Sequence, residues 1–115
     1  MGNANTNNIQ ITIDTKYSKL ENLIKDFRKN IESLKRIKIN SYEEIEKSEF
    51  NQKILNIELK INEELIKIRN YVANNSSNIN EYTKSNIKLK KYVFDIQEIT
   101  KEYFEIIKSK TKCFI

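Results

Sequence analysis

The sequence predicts an all-α fold, and three observations carry that prediction. Apolar residues recur at helical spacing along most of the chain, proline is absent, and the single glycine, Gly2, lies at the start. Sandwiches, barrels and Rossmann-like sheets need turn residues at short intervals, which this composition does not supply. Isoleucine is abundant and favours strands by propensity, but here its spacing is helical rather than alternating, and period outranks propensity as a signal. At 115 residues, with 38% apolar and 32% charged residues, the chain is one domain by length. The predicted architecture is three long helices, about 15–38, 42–73 and 78–112, forming an antiparallel coiled-coil bundle or an extended helical hairpin with overhang.

Residues 1–13 read as a flexible polar leader. Its opening, Met1-Gly2-Asn3-Ala4-Asn5-Thr6, fits the pattern of eukaryotic N-myristoyltransferase: a glycine freed by methionine removal, small residues that can thread the enzyme, and a hydroxyl residue at position six. In a bacterial chain the same six residues would carry no such meaning.

The first helix follows from Ile13, Tyr17, Leu20, Ile24, Phe27, Ile31 and Leu34, which alternate steps of four and three as a heptad seam does. Asp14 or Thr15 serves as its N-cap, and the seam fails at Lys38. Ser41 and Glu44 then form an S-x-x-E capping box that starts the second helix. Its seam is Phe50, Ile54, Ile57, Ile61, Leu65, Ile68 and Val72, with a stutter between Ile61 and Leu65. Leu55, Leu59 and Ile66 widen the apolar face, as expected of a middle helix buried against two neighbours. Asn74-Asn75-Ser76-Ser77-Asn78 breaks the pattern with residues that bond their own backbone. Asn78 and Glu81 cap the third helix, whose seam runs through Ile79, Tyr82, Asn86, Leu89, Val93, Ile96, Thr100, Tyr103, Ile107 and Phe114, flanked by Ile99 and Ile106. The three helices would be roughly 36, 48 and 50 Å long, unequal enough to leave an overhang.

Catalysis finds little support. Histidine is absent, which removes the side chain best suited to proton transfer near neutral pH, and no glycine loop exists to cradle a phosphate. The acidic cluster Glu43, Glu44, Glu46 and Glu49 sits in the first turns of the second helix, where the helix dipole favours it. No catalytic residue, cofactor or metal is expected.

With 21 basic against 16 acidic residues the chain carries a net charge of +5. Nucleic-acid binding is disfavoured, because only Arg28, Arg36 and Arg69 are arginines and the lysines are interspersed with glutamates as on a solvated helix surface. Basic clusters stand at Lys84, Lys88, Lys90 and Lys91, and in the tail at Lys108, Lys110 and Lys112. One acyl chain holds a membrane only marginally, so the tail matters as a second signal: its lysines for an anionic leaflet, and the lone cysteine, Cys113, as an S-palmitoylation site. Lys112 occupies the position a prenylated cysteine would need. A single cysteine excludes an intrachain disulfide and fits a reducing compartment. No apolar run approaches a membrane span, and the start lacks the apolar core of a signal peptide.

The functional expectation is a noncatalytic coiled-coil adaptor or scaffold subunit of a complex at the cytoplasmic face of an intracellular or plasma membrane, tethered conditionally through Gly2. Its partners would be helical proteins in a hetero-oligomer, with peripheral membrane contact. The seam residues that would carry it are Leu20, Ile24, Phe27, Ile57, Ile61, Ile68, Leu89, Val93 and Ile96. One alternative is a small secreted helical hairpin of a bacterial type VII-like export system. Against it, such hairpins turn on Trp-x-Gly, whereas Asn40-Ser41-Tyr42 stands here and tryptophan is absent. Another is a basic binder of anionic surfaces or nucleic acid.

Overall fold

A computed structural model of the chain describes residues 2–39 and 41–111, with side chains from residue 12 onward. Four α-helices account for nearly all of it: α1 (Gly2–Arg36), α2 (Tyr42–Lys47), α3 (Glu49–Asn75) and α4 (Ile79–Thr111). The fold is all-α, with no strand among the described residues. The molecule is a rod of 63 × 21 × 17 Å.

Two boundaries differ from the sequence expectation. α1 begins at Gly2 rather than near Thr15, so the segment expected to be a flexible leader continues the helix. Extending a helix that is already nucleated fixes one residue per hydrogen bond, a far smaller cost than starting one, and even asparagines and threonines can be carried along. The expected second helix is divided at Ser48, which adopts extended angles (φ −62°, ψ 137°) between α2 and α3. Ser48 N–H donates to the Ile45 carbonyl (3.0 Å), and the Ser48 carbonyl accepts from Gln52 N–H (3.0 Å), so the break leaves both its backbone groups satisfied. Gln52 also donates through Nε2 to the Glu46 carbonyl (2.8 Å), which ties the corner together. The bend turns Ile45 of α2 into the core, where it is fully buried.

Local capping chemistry sets the helix starts. Ser41 Oγ accepts from the Glu44 N–H at 3.1 Å and opens α2, satisfying one of the donors a helix N-terminus leaves unpaired. Asn78 Oδ1 does the same for Glu81 N–H at 2.9 Å in α4. Glu81 reaches back to Ser77, accepting from its N–H (2.8 Å) and its hydroxyl (2.6 Å).

Cross-helix pairs define the topology. Lys19 of α1 pairs with Glu64 of α3 at 3.5 Å, and the Lys16 ammonium lies over the Tyr71 ring at 5.7 Å; ascending one helix descends the other, so α1 and α3 are antiparallel. Tyr17 stacks on Tyr92 with ring centroids 5.5 Å apart, and Lys110 Nζ donates to the Ile37 carbonyl at 2.6 Å. α4 therefore runs parallel to α1, giving an up-down-up arrangement. In this register the first turns of α1 extend past the end of α3 and the start of α4, an overhang on the N-terminal side.

The core is one cluster centred on the α1–α3 interface. Leu20, Phe27, Ile31 and Leu34 of α1 and Ile54, Ile61, Ile68 and Val72 of α3 are fully buried, and Leu89, Ile99, Tyr103 and Ile106 of α4 join it. The seam residues named from sequence lie here: Leu20, Ile24, Phe27, Ile61, Ile68 and Leu89 are buried, while Ile57, Val93 and Ile96 are half-buried against the same cluster. These seams meet one another within the chain. The apolar surface that stays exposed is a different one.

Candidate interaction surface

That surface is on α3 and α4. Leu55, Leu59 and Ile66 are spaced i, i+4 and i+11, which puts them on one face of α3, and they are exposed by 44%, 63% and 57%. Sequence reasoning assigned this stripe to burial against a second neighbour. The structure corrects that: α4 covers the flank of α3 carrying Asn51 and Leu65, and the Leu55–Leu59–Ile66 stripe lies beyond its reach. A helix presents about 100° per residue, so a second apolar stripe is legible in the sequence, but which stripe a neighbour covers is not.

Across from it, α4 exposes Tyr82, Phe94 and Phe104, with Ile79 and Ile87 nearby. Between the two helices runs a groove lined by Arg69, Asn70 and Ala73 of α3 and by Tyr82, Asn86, Lys90, Val93, Phe94 and Gln97 of α4. Ile66 stands one turn before Asn70 and continues the α3 wall. A second depression follows α4 onward through Gln97, Thr100, Lys101, Phe104, Glu105 and Lys108; Gln97 borders both, so the groove passes into a depression lined by α4 alone. Asn86, a core-type position in the heptad reading, is half-buried on this groove. Phe94 and Phe104 lie off the heptad seam and were missed in the sequence analysis. Their signal was the stripe 94, 97, 101, 104 on the outer side of the helix.

The sides of α4 that do meet neighbours are partly polar. Tyr103 donates from its hydroxyl to Asn51 Oδ1 in the buried layer, so the buried asparagine is satisfied. Tyr92 donates to Glu21 of α1, and Tyr17 donates to the Ser85 carbonyl at 3.4 Å. The Lys88 ammonium sits 4.3 Å above the Tyr17 ring, a cation–π contact. Burial pushes the Tyr17 and Tyr103 phenols above their usual range. Burial raises Tyr92 further, with help from the adjacent Glu21 carboxylate. All three remain protonated donors near neutral pH.

Glu43 and Glu49 of the acidic cluster pair with Lys47 (3.0 Å) and Lys53 (2.9 Å) along their own helices. Among the described residues no group of three or more His, Cys, Asp or Glu side chains is placed to hold a metal ion, and no helix is long and apolar enough to cross a membrane.

Gly2 and the described tail residues Lys108 and Lys110 are far apart in space. Gly2 is in the first turn of α1, Lys108 is exposed near the end of α4, and Lys110 is engaged with the carbonyl of Ile37 just past α1, where a cation complements the helix dipole. Lys112 and Cys113 lie outside the described residues. Because α1 and α4 are parallel, Gly2 and the Lys108–Lys110 segment sit at opposite ends of the rod. Comparison of the chain with protein-family models, curated proteins and solved structures found no match.

Proposed function

We propose that this chain is a noncatalytic helical adaptor or scaffold subunit whose α3–α4 face docks a helical partner. The observation that carries the reading is the double row of exposed apolar side chains, Leu55, Leu59 and Ile66 on α3 and Tyr82, Phe94 and Phe104 on α4. Scattered apolar residues are ordinary on a protein surface, whereas rows that flank a groove mark interaction sites. The test is site-specific photo-crosslinking in the native cell. A photoreactive residue at Leu59 or Phe104 is expected to capture one protein repeatedly, while the same residue at the exposed Arg28 on α1 captures none. Equal capture at all three positions, or none at Leu59 and Phe104, discards the reading.

A place at the cytoplasmic face of a membrane belongs to the same proposal, supported by the Gly2-to-Thr6 pattern. Acylation of Gly2 needs the first turn of α1 open. A helix terminus meets that demand cheaply, because its first four N–H groups have no intrahelical partner. With Gly2 and the basic tail at opposite ends, both would touch a bilayer together only if the rod lay flat on it. Intact mass of protein from its native source decides the point: loss of Met1 with gain of a myristoyl group supports the tether, and an unmodified chain removes it.

A further inference from the structure

We infer that the groove between α3 and α4 takes an acidic amphipathic helix of a partner protein, which completes a four-helix bundle. The inference rests on the adaptor reading and adds the chemistry of the partner.

Shape is the first argument. Two antiparallel helices joined by a short connection, with α1 on their other side, leave a concave track that a third rod about 10 Å across can enter. An up-down-up set of three long helices lacks only a fourth to enclose its apolar faces on every side. The track holds aliphatic and aromatic side chains of the kind that anchor a helix in a groove at i, i+3, i+4 and i+7 spacing.

Charge chooses the occupant. Arg69 and Lys90 are the only charged residues on the first stretch of the groove. Lys101 and Lys108 border the second, where Glu105 is the one carboxylate; on α3, Glu58 stands half-buried toward Tyr103 and Glu63 is exposed on the outer flank. None of these four cations is ion-paired within the described residues. A second copy of the chain, itself at +5, would set the same cations against each other. A helix with leucine-type residues on one face and glutamate or aspartate beside them satisfies both the apolar floor and the cationic rim.

The test is a selection that leaves the choice of charge to the protein. Four-heptad peptides with leucine fixed at positions a and d, and with e and g randomised among Glu, Gln and Lys, are displayed and selected on the full chain. Acidic e and g positions are expected to dominate the recovered peptides, and the R69E/K90E/K101E variant is expected to enrich basic ones. Phe94→Asp with Phe104→Asp should lower affinity for a recovered acidic peptide by at least about tenfold, the loss typical of removing one anchor residue. All five positions are exposed, and circular dichroism checks that each variant keeps its helix content.

Enrichment of neutral or basic peptides, or of none, overturns the inference. So does self-association through this face by sedimentation, or binding of phosphatidylserine vesicles that Phe94→Asp with Phe104→Asp abolishes. The two readings fail separately. If the selection fails while Leu59 and Phe104 still crosslink one protein in the cell, the adaptor stands and its partner is not an acidic helix.

Discussion

α3 has two apolar faces that differ little in composition and greatly in fate. The face with Ile54, Ile61, Ile68 and Val72 is sealed against α1, whereas the face with Leu55, Leu59 and Ile66 is open. Closing the first face removes both sets of side chains from water and fills space to interior density, so each residue there is held by many neighbours. Leaving the second open forgoes that gain. α4 adds Leu89, Ile99, Tyr103 and Ile106 to the core without enclosing α3. One helix thus carries a sealed side and an open side, and the proposed docking belongs to the open one.

Phe27→Ala strikes the sealed side hardest and is expected to cost about 3 to 5 kcal/mol, with Ile61→Ala or Ile68→Ala at about 2 to 5 kcal/mol. Denaturant unfolding measures all three. Ile96→Ala, at a half-buried position, should cost less than Ile61→Ala; an equal loss would place α4 as deep in the core as α3. Next comes Tyr103→Phe, which removes the hydroxyl that satisfies Asn51 and leaves a buried amide oxygen unpaired, at about 1 to 3 kcal/mol. If Tyr103→Phe left the melting curve unchanged, the contact between α3 and α4 would not be held by this bond.

On the open side, Leu59→Ala and Phe104→Ala are expected to move folding stability by no more than about 0.5 kcal/mol. A large loss in either would mean that the face is already covered. The smallest effect concerns the start of α4. Hydrogen bonds from the Ser77 hydroxyl and N–H hold the Glu81 carboxyl below its usual range. Its folded-state pKa is depressed, so its contribution is present above the unfolded-state pKa and is lost as pH falls through the folded-state value. Amide exchange in the first turn of α4, corrected for intrinsic rates, should therefore accelerate on acidification. Glu81→Gln should flatten that dependence.

Much of this could be read along the chain. The heptad steps of Tyr17, Leu20, Ile24, Phe27, Ile31 and Leu34 name residues that are all buried, because side chains three and four apart share a helix face wherever the helix lies. Ser41 and Asn78 announce helix starts because capping is chemistry between residues three apart in sequence. The break at Ser48 was not legible: serine is tolerated in helices, and the turn of Ile45 into the core depends on contacts with distant residues. The candidate surface was only half visible. Leu55, Leu59 and Ile66 stand out as a stripe, but the reading that buried them assumed a neighbour where none of the described helices lies.

What the sequence by itself determined is the class of fold, the helical faces and the chemistry available: no histidine, one glycine, and an isoleucine-rich set of seams with lysines and glutamates between them. Each follows from composition or from a period of a few residues. Tertiary structure decided which of α3's two apolar faces is core and which is surface, that Tyr103 satisfies Asn51, and that Gly2 and Lys110 stand at opposite ends. Those outcomes depend on the angle and offset at which helices meet, quantities set by the joint fit of side chains far apart in the chain rather than by any one stretch of it.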